Sequence, residues 1–150
     1  MRSWKPELLP LLLVLLAGCG EPPPPEARVR AFIAELEQLA EERQFTELVD
    51  RISGDYLDNR GNDKLKAAAL LRGFYLRNKS VHLLVRIESI ALPSPEHAVA
   101  TIYVAMGQRG SETLPDADVF RIELELVADG DSYEILQTRW QRASAADVIF

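Results

Sequence analysis

Cysteine is almost missing from this chain: Cys19 is the only one in 150 residues. A disulfide within one chain is therefore excluded, and so is a zinc site built on cysteine. Histidine is nearly as scarce. His82 and His97 are the only two, and a metal centre on them would need Asp or Glu partners that the spacing does not identify. Runs of basic residues are absent as well. With 17 Lys and Arg against 23 Asp and Glu the net charge is −6, which argues against nucleic acid as a partner, because phosphate binding needs clustered cations. No apolar run reaches the roughly 20 residues of a spanning helix; Leu8–Leu16 falls short and contains Pro10. The chain also lacks the Gly-x-Ser-x-Gly elbow, His-Glu-x-x-His, Gly-x-Gly-x-x-Gly and Walker loop patterns, so no cofactor is implied. At 47% apolar and 27% charged residues, what is left has the composition of a globular domain.

What is present begins at the N-terminus. Arg2 and Lys5 precede the apolar run Leu8–Leu16, and small residues lead to Cys19. Leu16-Ala17-Gly18-Cys19 resembles the lipobox of bacterial lipoproteins. The resemblance implies that residues 1–18 are a signal peptide and that Cys19 becomes the lipidated N-terminus, anchored in a membrane. Gly20 stands where an Asp would mark inner-membrane retention, so the pattern implies an outer-membrane lipoprotein facing the periplasm. Residues 19–25 then form the lipidated Cys and a Pro-rich tether, with Pro22–Pro25 favouring a stiff polyproline spacer. Residues 26–150 form the domain.

Within the domain, helical spacing comes first. Val29, Phe32, Ile33, Leu36, Leu39 and Ala40 make one apolar face over Glu26–Arg43. A second short helix has Phe45, Leu48, Val49 and Ile52 as its stripe and Gly54 as its terminator. Asp55–Gly61 reads as a polar loop whose acids do not fit a calcium site: aligning Gly61 with the required glycine puts Tyr56, Arg60 and Ala67 at ligand positions. Asn62 or Asp63 caps a third helix to Asn78 whose apolar residues surround it, which predicts a helix pinned between other elements. From Ser80 the period becomes two. Strands are predicted over Val81–Ile90, His97–Gly107, Phe120–Leu126 and Tyr133–Arg142, with turns at Pro93–Pro95 and Asp129–Asp131, a polar loop over Gln108–Asp116 and a tail from Ala143 to Phe150 that docks back or frays. The expected fold is α+β, with three N-terminal helices packed on a curved four-stranded antiparallel sheet.

This order of elements, with Tyr56 in the polar loop and Trp140 near the end of the last strand, is similar to the nuclear transport factor 2-like superfamily, also described as cystatin-like. The resemblance implies a cone-like sheet with a pocket at its mouth, and in many members a homodimer formed through the sheet. Tyr56, Phe74, Tyr75, Tyr103 and Trp140 are the aromatics that could line such a pocket; otherwise they are core. Ketosteroid-isomerase-like members are the enzymatic precedent. They resemble one another in a Tyr on the first helix and a protonated Asp in the oxyanion hole, and neither is found here. Three readings stay open. The first is a lipoprotein whose domain binds a small apolar ligand or an envelope protein without catalysis. The second is an isomerase- or hydratase-type enzyme using Asp55 or Asp58 as general base. The third is a structural module that dimerises through apolar residues such as Leu84 and Ile90 on both faces of its first strand.

Overall fold

The computed structural model describes residues 21–107, 118–144 and 146–149. The expected signal peptide, Cys19 and the loop 108–116 lie outside the described residues. Pro24 is polyproline-like (φ −52°, ψ 148°), and Pro25 opens helix α1, Pro25–Glu41, where its missing N–H is harmless. Glu26 in the first turn favours the helix dipole and accepts from Arg30 at 2.8 Å. Val29, Phe32 and Ile33 are buried along one face, as the spacing predicts. Arg43 takes a left-handed backbone (φ 59°) that ends the helical run, and helix α2, Phe45–Asp50, follows.

The chain then departs from the sequence expectation. Instead of a helix through Ile52 and a loop from Asp55, strand β1 occupies Ile52–Asp58. It pairs in parallel with the last strand, joining Ile52 to Ile135, Leu57 to Gln137 and Asp58 to Thr138. Two physical causes hide it. Its hydrogen-bonding partner lies some eighty residues away in the chain, and a register break between Ile52 and Leu57 destroys the period of two. The sheet therefore has five strands and is mixed, rather than four and antiparallel.

Helix α3, Lys64–Arg77, starts where the cap was expected: the Asp63 side chain accepts from the Lys66 N–H at 2.8 Å. It is not pinned. α3 packs chiefly on β1 and α2, only Tyr75 is buried, and Leu65 and Leu76 are 81% and 80% exposed. Its broad apolar composition is two stripes, one inward and one facing solvent.

Strands β2 (His82–Ser94), β3 (His97–Gly107), β4 (Asp118–Asp129) and β5 (Ser132–Ala143) form a meander, giving the sheet order β1-β5-β4-β3-β2. Gly130 closes the β4–β5 hairpin with φ 57°, a conformation that glycine adopts without cost. Paired residues share a face. One face carries Ala98, Ala100, Ile102, Val104, Leu124, Leu126 and Tyr133 against α1, and this is the main core. The other carries Tyr103, Ala105 and Val119. A short helix α4, Ala146–Ile149, lies against β3, held by Arg86 donating to the Asp147 carbonyl at 2.5 Å. The described part of the tail thus docks back.

Candidate functional site

α1 covers only part of the sheet's core face. Beyond it, toward the end of β5, the aligned positions Ile122–Trp140 and Phe120–Arg142 continue the same face, and Phe120 and Trp140 remain half-buried. The two rings meet edge to face with centroids 5.8 Å apart. The loop after β1 reaches over this corner. There the Arg60 guanidinium sits 3.7 Å above the Trp140 ring, and Arg142 lies 5.7 Å from the centroid of Phe120. Arg142 is paired with Asp118 at 3.0 Å. Among the described residues, no carboxylate pairs with Arg60.

The loop is held by Asp58, a buried carboxylate. One oxygen accepts the backbone N–H groups of Arg60 and Asn62, each at 2.8 Å, and the other accepts the Asn62 side-chain amide at 2.7 Å. Burial alone would push the Asp58 carboxyl upward. The donors from Asn62, Arg60 and the Trp140 side chain outweigh it, so the group is held below its ordinary value. It is an anion whose lone pairs are already engaged, a strut rather than a base. The same loop ties to the sheet through the Asn59 N–H to the Thr138 carbonyl at 3.0 Å and the Asn59 amide to the Trp140 carbonyl at 3.3 Å. Beneath it, the Tyr56 hydroxyl shares a 2.6 Å hydrogen bond with the Thr138 hydroxyl. Burial raises the Tyr56 phenol above its ordinary value, the Thr138 bond opposes this, and the Asp58 charge adds to it. Tyr56 therefore stays a neutral hydroxyl.

The five aromatics named from the sequence do not form one site. Tyr56 and Trp140 come together, because Thr138 and Trp140 are two residues apart on one strand face. Phe74 and Tyr75 pack on each other 5.8 Å apart on α3, and Tyr75 is a structural pin. Its hydroxyl donates to the Ala40 carbonyl at 3.0 Å, while Arg43 stacks on its ring and donates to the carbonyls of Tyr75 and Asn78. Tyr103 points to the opposite face of the sheet, an odd position on β3 aligned with Arg121. There Arg86 stacks on it, and Glu88 accepts from its hydroxyl at 3.5 Å and from Arg121 at 3.0 Å. Arg121, Glu123, Arg139 and Gln141 line, with Asn59 and Trp140 at the sheet edge, a polar groove of about 330 Å³, in which Glu123 and Arg139 pair at 3.0 Å. Asp55 is exposed on β1. His82 lies 4.0 Å from Glu41 near the end of α1, and His97 lies at the β2–β3 turn, so neither reaches the corner. Among the described residues, no cluster of His, Cys, Asp and Glu suits a metal ion. Sequence reasoning missed Arg60, Phe120 and Thr138. Phe120 carried the alternation of a core residue, whereas nothing local marks an Arg in a polar loop as stacked on a Trp eighty residues on.

No protein-family model and no curated protein matches the chain. Solved structures do. Bd1075 of Bdellovibrio bacteriovorus is similar at a TM-score of 0.64 and 10% identity over 78% of this chain, which spans only 40% of that protein. A domain of unknown function with a cystatin-like fold from Nostoc punctiforme matches at 0.63 and 12% identity, over 81% of this chain and 79% of that one. A ketosteroid isomerase-like protein from Erwinia carotovora atroseptica matches at 0.60 and 9% identity, over 79% and 95%. The domain has the nuclear transport factor 2-like, cystatin-like fold. At these identities the likeness carries the fold alone.

Proposed function

We propose that this chain is a lipoprotein anchored through Cys19, on the outer membrane facing the periplasm, whose domain binds a small, mainly apolar ligand bearing an anionic group, without catalysing its conversion. The observation that carries the ligand reading is the Arg60 guanidinium at 3.7 Å over the half-buried Trp140 ring. A guanidinium stacked on an indole keeps its N–H edge free for a carboxylate or similar anion, while the ring and Phe120 supply an apolar wall. The Asp58 loop presets this arrangement, so little ordering is required on binding.

The isomerase- or hydratase-type reading is weaker on the same geometry. A general base must hold a free lone pair near the reacting proton, and the lone pairs of Asp58 are engaged by Arg60 and Asn62. Asp55 stands exposed on β1 rather than beside the Arg60–Trp140 pair.

Native mass spectrometry of the mature lipidated protein, isolated from its own host and released from mild micelles, tests the proposal. The expected result is a bound acidic molecule of low mass that is lost in an Arg60→Ala, Trp140→Ala variant. A ligand-free wild-type spectrum, or a ligand retained by the variant, would move the weight to an envelope protein partner. The same spectrum reads monomer against homodimer.

A further inference from the structure

We infer that the outward face of α3 is a docking surface for anionic phospholipid headgroups, holding the domain flat on the membrane from which it hangs. The proximity of that membrane rests on the lipoprotein reading above; the chemistry of the face does not.

The face is built from both halves that an interfacial helix needs. Leu65 and Leu76 are 81% and 80% exposed. With Ala68, Ala69, Arg72, Gly73 and Phe45 they line a groove of about 390 Å³. Those α3 positions recur at the three–four spacing, so they form one stripe, about 16 Å long at the helical rise of 1.5 Å per residue. The small residues in its middle leave the two leucines standing as the protruding ends.

Charge supplies the other half. α3 carries Lys64, Lys66, Arg72 and Arg77 and no acid, and Lys79 follows it, in a chain whose net charge is −6. Lys64 is engaged with the Ile52 carbonyl at 2.6 Å, but Lys66, Arg72, Arg77 and Lys79 are exposed. The ion pairs among the described residues engage Arg30, Arg51, His82, Arg121, Arg139 and Arg142, so none uses a cation of α3. An acidic protein thus gathers around exposed leucines cations that no carboxylate among the described residues engages in an ion pair, Arg72 being stacked on the Phe45 ring at 4.9 Å. Lysine and arginine stems reach headgroup phosphates while leucines enter the headgroup–acyl boundary. The negative remainder of the domain is repelled by the same surface, which fixes the orientation.

The tether makes this occupant the favoured one. The six residue steps from Cys19 to Pro25 reach at most about 20 Å even when fully extended. An anchored chain therefore keeps α3 at high effective concentration beside the bilayer. A second copy fits poorly, because two α3 faces would bring like charges together.

The test uses the mature lipidated chain with Ala69→Cys, carrying an environment-sensitive fluorophore in the middle of the groove; lipidated Cys19 has no free thiol to react. Vesicles are phosphatidylcholine alone or with 30% phosphatidylglycerol. The expected result is emission that shifts to the blue and is quenched by spin-labelled lipid on the anionic vesicles, and stays open to aqueous iodide on the neutral ones. Lys66→Glu with Arg77→Glu should lower the docked fraction more than tenfold, at about fivefold per cation. Equal iodide quenching on both vesicles overturns the inference, as does a label already shielded without vesicles, which would indicate a protein on the face. The mass of Cys19 in the same sample separates the two claims. If it is unmodified, the lipoprotein reading fails, and sedimentation of that chain with the vesicles still decides the surface: phosphatidylglycerol-dependent binding lost in the double variant upholds it, and its absence overturns it.

Discussion

Asp58→Ala is the most informative single perturbation of this domain, because one carboxylate fixes the loop that places Arg60 over Trp140. Removing it leaves four donors without that acceptor: the backbone N–H groups of Arg60 and Asn62, the Asn62 amide and the Trp140 side chain. Hydrogen bonds to a charged group are worth about 1.5–3 kcal/mol each. Arg60 is exposed and water can reach its N–H, so the four do not add in full; a net loss of about 2–3 kcal/mol is expected. For a domain of this size that lowers the melting temperature by on the order of 10 °C. The pH dependence carries the sharper sign. The folded pKa of Asp58 lies below its ordinary value. Its contribution is therefore fully present above the unfolded Asp pKa of about 3.9 and is lost as pH falls through the folded value. Urea denaturation of wild type and variant at pH 7 and near pH 2.5 should show the difference between them shrinking at the lower pH. A difference below about 0.5 kcal/mol at pH 7, or one of equal size at both pH values, would refute the role assigned to this carboxylate.

Two further substitutions probe the frame around the corner. Leu126 is 0% exposed and sits between Ala98 and Ile135 on the core face, so Leu126→Ala should cost about 3–4 kcal/mol in urea unfolding; a loss under 1 kcal/mol would mean the site collapses freely and the core is looser than described. Tyr56→Phe removes the 2.6 Å bond to Thr138 and strands that hydroxyl, for an expected loss of about 1–2 kcal/mol by the same assay; an unchanged midpoint would show that the bond is replaced by solvent.

Legibility from sequence followed the range of the interactions. The α1 stripe of Val29, Phe32 and Ile33, the Asp63 cap and the Asp129–Asp131 turn are set within a few residues, and each is found where the local pattern places it. β1 is set by β5 across the chain, and Gly54 and Asp55 there look like the end of a helix and a loop. α3 was misjudged for a different reason. Counting apolar residues around a helix cannot separate a buried circumference from one buried stripe plus one exposed stripe, and Leu65 and Leu76 belong to the second kind. Of the aromatic set, Tyr56 and Trp140 share a corner through the β1–β5 pairing, which no local pattern shows. Tyr103 fell on the far side for want of one piece of parity: on β3 the even positions face α1, and 103 is odd.

Trp140 lies in the corner itself, and a chain beginning at Cys19, as proposed above, carries no other tryptophan, because Trp4 precedes that residue. Its emission, titrated with alicyclic carboxylates and with the matching neutral alcohols, tests the central claim most directly. The account predicts a saturable change with the carboxylates, weaker or absent with the alcohols, and an affinity about tenfold to a hundredfold lower in Arg60→Ala, the equivalent of one charged hydrogen bond. Equal responses to acid and alcohol, or an Arg60→Ala variant that titrates like wild type, would contradict it.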